Sequence, residues 1–200
     1  FSWAIAFLAL YAWRLPVTYQ HARYLLPAIP PLAVYGFDGL ASWAQLNALS
    51  AVRRISSRAW VLSLAGVTVA FWIVGARAYA QDVRIVETEM VAAARWLGSN
   101  TPPDALIAVH DIGAVGYFSH REILDLAGLV SPEVIPIIRN QDALARLIVD
   151  SRADYLVTFP GWYPRLVVGP QFGRIYATGA PYSPAVGGEN MTVYRVARGD

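Results

Sequence analysis

Residues 59–76 read AWVLSLAGVTVAFWIVGA, a run of eighteen residues without a charge that ends at Arg77. A helix that crosses a bilayer needs roughly 20 mostly apolar residues. A helix packed on a water-soluble domain ordinarily keeps a polar stripe, which this run lacks. The run therefore predicts a transmembrane helix, and it divides the chain into a hydrophobic part and a more polar part.

The two parts differ in charge. Residues 1–80 carry six Arg and one Asp, whereas residues 81–200 carry ten Arg and thirteen acidic residues. No Arg-rich face accompanies the basic pI near 9.0, so we expect no nucleic-acid partner. All sixteen basic residues are Arg, which we interpret as the bias of a bacterial source. The absence of Cys excludes disulfides and thiolate metal sites.

Two further apolar segments precede the run. Residues 1–13 resemble the end of a hydrophobic helix that begins upstream. Residues 24–46 carry one charge, Asp38, and three prolines that neighbouring helices would accommodate in a bilayer. We expect the fold class to be a membrane α-helical segment, the end of one span plus two full transmembrane helices, followed by a small α/β extracytoplasmic domain. The predicted spans are about 1–13, 24–46 and 59–76, within a membrane region of residues 1–79.

Topology follows from the arginines that flank these segments. The loop 47–58 carries three Arg and the loop 14–23 carries two, which favours a cytoplasmic position for the former. Residues 80–200 would then be extracytoplasmic. The chain is expected to be the C-terminal part of a longer multi-pass protein of the bacterial cytoplasmic membrane, with membrane lipid as its surroundings.

Residues 80–200 show the alternation of a soluble α/β domain. Apolar residues recur at helical spacing over 80–97 and 141–152, and apolar or alternating runs predict strands. These strands are expected at 105–110, 122–126, 154–159, 173–178 and 191–196. About 120 residues are enough for a core of their own.

Motifs for enzyme chemistry are scarce. The chain has no phosphate-binding GxxxxGK[ST], no GxGxxG after a strand, no HExxH and no GxSxG, and its three His predict no metal site. His110 and Asp111 adjoin at a strand end, but neighbours in a strand point to opposite faces, which favours a structural role. Asp111 and Asp125 both follow predicted strands, where ligand groups of α/β sheets often lie, but turn formation and capping of the next segment are the more common role of such residues.

Aromatic side chains in two turns are further candidates. The loop PGWYP at 160–164 contains Trp162 and Tyr163, and APYSP at 180–184 contains Tyr182. Such rings can stack on a sugar, contact the membrane surface or pack beneath their own loops. The predicted acceptor or ligand contacts are Asp111, Asp125, Trp162 and Tyr163.

One polar cluster precedes the second apolar segment. His21, Arg23 and Tyr24 stand where a helix would enter the membrane, and Arg and His there can hold a phosphate through charge-assisted hydrogen bonds. Interfacial anchoring by Arg and Tyr is the alternative.

Two stretches resemble a known family. HARYLLPAIPPLAVYGFDGL (21–40) is similar to the late transmembrane region of bacterial GT-C glycosyltransferases, the group of the protein O-mannosyltransferases and the aminoarabinose transferase of lipid A. DIGAVGYFSHREILDLAGLVSPEV (111–134) resembles the extracytoplasmic domain of uncharacterised members of that group.

The resemblance implies transfer of a sugar from a polyprenyl-phosphate donor, at the extracytoplasmic face, to a glycan, lipid or protein acceptor. His21, Arg23 and Tyr24 would then be the donor-phosphate residues. The acidic catalytic residues of this family lie upstream, so no catalytic residue is predicted here and this chain alone would be inactive. No cofactor is expected in this chain, and the use of a divalent metal by the longer protein is left open. The alternatives are a non-enzymatic, membrane-anchored glycan- or protein-binding domain and a transporter segment.

Overall fold

The computed structural model describes residues 2–14, 23–45 and 51–197. The chain divides into two compact units, Phe1–Ile73 and Val74–Asp200. One helix, α3 (Ala51–Ile85), begins in the first unit and ends in the second.

The first unit is helical. It contains α1 (Ser2–Arg14), a 3-10 helix (Arg23–Ala28), α2 (Ile29–Gln45) and the first part of α3. Four rings run in sequence along α1 to the 3-10 helix, with centroid distances of 5.3, 4.7 and 5.8 Å between Trp3, Phe7, Tyr11 and Tyr24. Of the described side chains in this unit, only Ala4 and Ala28 are buried.

The prediction of a second full transmembrane helix at 24–46 is wrong. Its first residues form the 3-10 helix, which contains Pro27, and α2 has 17 residues. Those 17 residues span about 26 Å, less than the roughly 30 Å of a hydrocarbon core. Proline removes the N–H that an α-helix needs, so the segment does not form one uninterrupted helix.

A single helical segment meets the requirement for a span. Among the described residues, only the continuous helix Arg54–Asn100 is long and apolar enough, with a mean hydropathy of 1.9 over its best window and none of that window buried. The apolar run 59–76 and the amphipathic sequence 80–97 belong to this one continuous helix, and neither Gly nor Pro stands between residues 76 and 80.

The second unit is a mixed α/β fold. After α3 come a π-helical turn (Val86–Val91) and α4 (Ala92–Asn100). The elements that follow are β1 (Leu106–Val109), α5 (Ile112–Ser119), β2 (Glu122–Asp125), α6 (Gln141–Asp150), β3 (Tyr155–Thr158), β4 (Phe172–Ala177) and β5 (Thr192–Val196). The five strands predicted from the sequence are confirmed, each shorter or shifted by one or two residues.

The five strands form one sheet in the order β2-β1-β3-β5-β4. β1 runs parallel to both β2 and β3, and β5 runs antiparallel to β3 and β4. The short apolar runs of β1 and β3 are typical of parallel strands that are covered on both faces.

Two buried clusters cover the two faces of the sheet. Successive residues of β1 point to opposite faces of the sheet. Ile107 and Val109 therefore belong to one cluster and Ala108 belongs to the other. The first cluster receives Ala93, Ala94 and Leu97 of α4 and Val115 of α5, and the second receives Leu144 and Ile148 of α6. The unit is therefore a three-layer α/β/α arrangement.

Candidate functional site

The carboxyl ends of the three parallel strands meet at one edge of the sheet, as the register of β1 with β2 and β3 requires. His110 and Asp111 follow β1, Asp125 ends β2, and the turn with Trp162 and Tyr163 follows β3. We call these five residues the carboxyl-edge site. The structure thus brings together all four predicted ligand contacts and adds His110.

His110 is joined to Tyr163 by a hydrogen bond. The Nδ1 atom of the half-buried imidazole lies 2.7 Å from the Oη atom of Tyr163, across 53 residues of sequence. Burial lowers the pKa of His110, although the charges of Asp111 and Asp125 oppose this. Burial and the charge of Asp125 raise the pKa of Tyr163 to about 12. Burial thus favours the neutral form of both rings, and their hydrogen bond ties the end of β1 to the turn after β3.

Trp162 is the exposed ring of the site. It belongs to the 3-10 turn Pro160–Trp162, and 47 % of its surface is accessible. Its centroid lies 5.1 Å from that of His110, with the rings 78° apart, and 5.0 Å from that of Phe159. Two ring contacts hold the indole in place while about half of its surface stays open to a ligand.

Asp125 is fully buried and organises the loop after β2. Its carboxylate accepts hydrogen bonds from the backbone N–H groups of Ala127 and Val130, both at 2.7 Å, and of Ser131 at 3.4 Å. Burial disfavours its charge, but these bonds outweigh burial and lower its pKa. The positive φ of Gly128, 73°, lets the loop turn back towards the carboxylate. The turn-forming role considered for Asp125 is the one observed.

Asp111 differs from Asp125. It occupies the N-cap position of α5 with φ −96° and ψ 84°, and its side chain makes no capping hydrogen bond. It is half-buried beside His110. Its carboxylate is thus available to accept hydrogen bonds from a ligand.

The predicted donor-phosphate residues belong to the first unit. His21 lies outside the described residues. Nη2 of Arg23 donates to Oη of Tyr24 at 3.1 Å, and the guanidinium carbon lies 5.0 Å from the Tyr24 ring centroid. Both side chains are exposed. Their role in binding phosphate stays a prediction.

A polar cluster that the sequence did not predict surrounds Glu89. This residue lies in the π-helical turn, and its side chain is completely buried. Its carboxylate accepts hydrogen bonds from Oγ1 of Thr178, from Nδ2 of Asn190 at 2.8 Å and from the backbone N–H of Met191 at 2.7 Å. Its position in the sequence could have indicated that it is buried. Glu89 stands three residues after Val86 and four before Ala93, so it lies within the apolar stripe of the helix.

The structure offers no multidentate metal site in its described ranges, where no three His, Asp or Glu side chains are grouped to hold an ion.

The family of the chain follows from comparison with known proteins. A family model described as Domain of unknown function (DUF8728) matches residues 44–194, from the end of α2 to β5. No curated protein matches the chain.

Proposed function

We propose that this chain, which belongs to the DUF8728 family, is a membrane-anchored α/β domain that binds a glycan at its carboxyl-edge site. The observation that carries the proposal is Trp162, a half-exposed indole held by the rings of His110 and Phe159. An exposed aromatic ring fixed in this way loses little conformational freedom when a ligand binds.

The chemistry of the site suits a sugar. A pyranose ring has a face of C–H groups and a rim of hydroxyl groups. The indole of Trp162 offers an apolar, electron-rich surface to the face. The carboxylate of Asp111 can accept hydrogen bonds from the hydroxyl groups, and charged acceptors make the stronger bonds.

Two of the five residues have a positioning role. The carboxylate of Asp125 accepts hydrogen bonds from the backbone of the loop after β2, and Nδ1 of His110 is engaged by Tyr163. Both residues therefore position the loops around Trp162 and Asp111.

Anchoring is supported by α3. Its residues 59–76 are uncharged, and the described side chains along this run are exposed. Such a surface favours lipid over water. We therefore propose a membrane location for this chain, with the second unit on the extracytoplasmic side.

A second candidate is that the chain belongs to a larger glycosyltransferase that uses a polyprenyl-phosphate donor and a glycan, lipid or protein acceptor. The exposed guanidinium of Arg23 favours it, because Arg binds phosphate well where hydration is poor. In that protein the carboxyl-edge site would hold the acceptor. This candidate requires Arg23 and the second unit to share one side of the membrane.

The first candidate is tested by replacing Trp162. The full chain in neutral detergent is applied to a glycan microarray, and the oligosaccharide that binds best is titrated by calorimetry. We expect Trp162→Ala to weaken this binding by about tenfold or more, since a stacked ring contributes roughly 0.5–1.5 kcal/mol beyond the area it buries. Trp162→Phe keeps a ring and should lose less.

Tyr117→Ala is the matched control, because Tyr117 is 73 % exposed and lies at the far end of α5. It should bind like the unchanged chain. If no glycan binds, or if Trp162→Ala binds as tightly as Tyr117→Ala, the carboxyl-edge site is not a glycan site.

A further inference from the structure

We propose that a second site, a groove between α3 and the turn Pro184–Val186, binds the phosphate group of an anionic membrane phospholipid. The groove encloses about 420 Å³ and lies wholly within the second unit. Its walls include Arg77, Ala80, Arg84, Tyr182, Ala185 and Val186. It is separate from the carboxyl-edge site and does not depend on glycan binding, but it rests on the proposed membrane location of the chain.

Two arginines supply the charge of the groove. Arg77 and Arg84 are seven residues apart on α3, so they share one face of the helix and lie about 10 Å apart along its axis. Both side chains are exposed. None of the described residues that line the groove is acidic. Two guanidinium groups on one wall match the charge and the several acceptor oxygens of a phosphate.

The opposite wall orients one of these arginines. The guanidinium carbon of Arg84 lies 5.9 Å from the ring centroid of Tyr182, which is a cation–π distance. Ala80, Ala185 and Val186 add apolar surface beside the two charges. A phosphate next to a glycerol and the start of acyl chains presents the same combination of charge and apolar surface.

The position of Arg77 along the chain points to a lipid phosphate and not to a soluble one. Arg77 is the first charged residue after the uncharged run 59–76 of the same helix. The headgroup layer on each side of a bilayer is roughly 5–7 Å thick, so a residue directly after a span lies at the level of the phosphates. The apolar wall then faces the boundary between headgroups and acyl chains.

The proposal is tested by titrating the full chain in neutral detergent with three probes, with complexes counted by native mass spectrometry. The probes are dihexanoyl phosphatidylglycerol, dihexanoyl phosphatidylcholine and inorganic phosphate. We expect saturable binding of the phosphatidylglycerol and weaker binding of the other two. The double variant R77Q/R84Q should weaken binding of the phosphatidylglycerol about 30-fold, from the usual contribution of two arginines near an anionic surface.

The charge-matched control is R139Q/R146Q, which removes two exposed arginines elsewhere in the same unit. It should change the affinity less than twofold. Val186→Glu places a carboxylate in the groove and should also weaken binding, whereas Val168→Glu adds the same charge at a position 77 % exposed and should not. Circular dichroism establishes that each variant is folded.

Three results would overturn the proposal. Equal affinity for inorganic phosphate and phosphatidylglycerol would make the ligand a free phosphate. An equal loss in both double variants would show attraction by net charge alone. Absence of saturable binding to the folded chain would show that the groove holds no phospholipid.

Discussion

At the scale of single residues, partners distant in sequence decide what each side chain can do. His110 and Asp111 are neighbours in sequence, but His110 bonds to Tyr163 and Asp111 stands at the start of α5. Asp125 is engaged by the loop that follows it. The sequence identified the strand ends where these residues lie. It did not show that the loop backbone occupies the carboxylate of Asp125 and leaves that of Asp111 available.

Asp125 leads to a prediction about acid stability. Its pKa is lowered from the ordinary 3.8 in the folded chain, so the unfolded chain binds a proton more readily. The stabilisation from its charge is therefore fully present above about pH 4 and is lost as the pH falls through the lower folded pKa. Asp125→Asn should reduce the free energy of unfolding by about 1–3 kcal/mol at neutral pH and flatten its decline below pH 4.

Chemical denaturation of the full chain in neutral detergent, followed by circular dichroism between pH 2.5 and 7, measures this effect. Asp104→Asn, at an exposed position, serves as the control and should retain the acid decline. An unchanged decline in Asp125→Asn would mean that the loop hydrogen bonds do not hold its charge.

At the scale of elements, the helix that runs from α3 into α4 joins two patterns that the sequence suggested were separate. A π-helical turn marks the junction, and it places Glu89 where the carboxylate meets Thr178, Asn190 and Met191 around the hairpin of β4 and β5. Turns of this kind are rare and often mark positions under a specific requirement. Here the requirement is a buried acceptor for three donors.

Glu89→Gln is therefore expected to lower the stability of the second unit. An amide keeps one acceptor oxygen, but its NH₂ group must face at least one of the three donors, which leaves buried polar groups unsatisfied. The cost should be about 1–3 kcal/mol of the free energy of unfolding. Glu87→Gln makes the same change at an exposed position of the same turn and should cost under about 0.5 kcal/mol.

Thermal unfolding in neutral detergent, followed by the loss of circular dichroism, compares the two variants. Equal midpoints for Glu89→Gln and Glu87→Gln would contradict the importance of the buried cluster.

At the scale of the whole molecule, the proposed membrane location depends on α3. Large apolar side chains such as Trp60, Phe71 and Trp72 are 67–79 % exposed along it, and this apolar surface supports the proposal. The 3-10 helix and α2 do not add a second helix of sufficient length and hydropathy. With one such helix, the described residues before and after it would lie on opposite sides of a bilayer.

Cysteine labelling tests this arrangement, because the chain has no native Cys. Single cysteines at the exposed positions Val52 and Glu133 flank the apolar run. In intact cells a membrane-impermeant maleimide should label Glu133→Cys and spare Val52→Cys, and both should react after permeabilisation. Labelling of both in intact cells would contradict a span at 59–76.

A third cysteine, at exposed Leu26, separates the two candidate functions. Protection of Leu26→Cys together with Val52→Cys places Arg23 on the side opposite to the second unit, which supports the anchored binding domain alone. Labelling of Leu26→Cys together with Glu133→Cys would instead support the glycosyltransferase and its donor-phosphate role for Arg23.

The sequence by itself determined the elements whose cause is local. Consecutive residues are enough to predict the uncharged run 59–76, the short apolar strands and the amphipathic α6, because the periodicity of the apolar residues shows which face is buried. The order of strands and helices also placed Asp111, Asp125, Trp162 and Tyr163 at strand ends, and these ends meet in space.

Only the tertiary structure decided what depends on distant partners or on competition between signals. Of the two full spans predicted, it left one helix among the described residues that is long and apolar enough, because the prolines of 24–46 interrupt what composition alone counts as a continuous apolar helix. It joined His110 to Tyr163 and Glu89 to the hairpin of β4 and β5, pairings that span 53 to 102 residues. No local pattern encodes such pairs, since they form only when the packing of the sheet and its helices brings the groups within hydrogen-bonding distance.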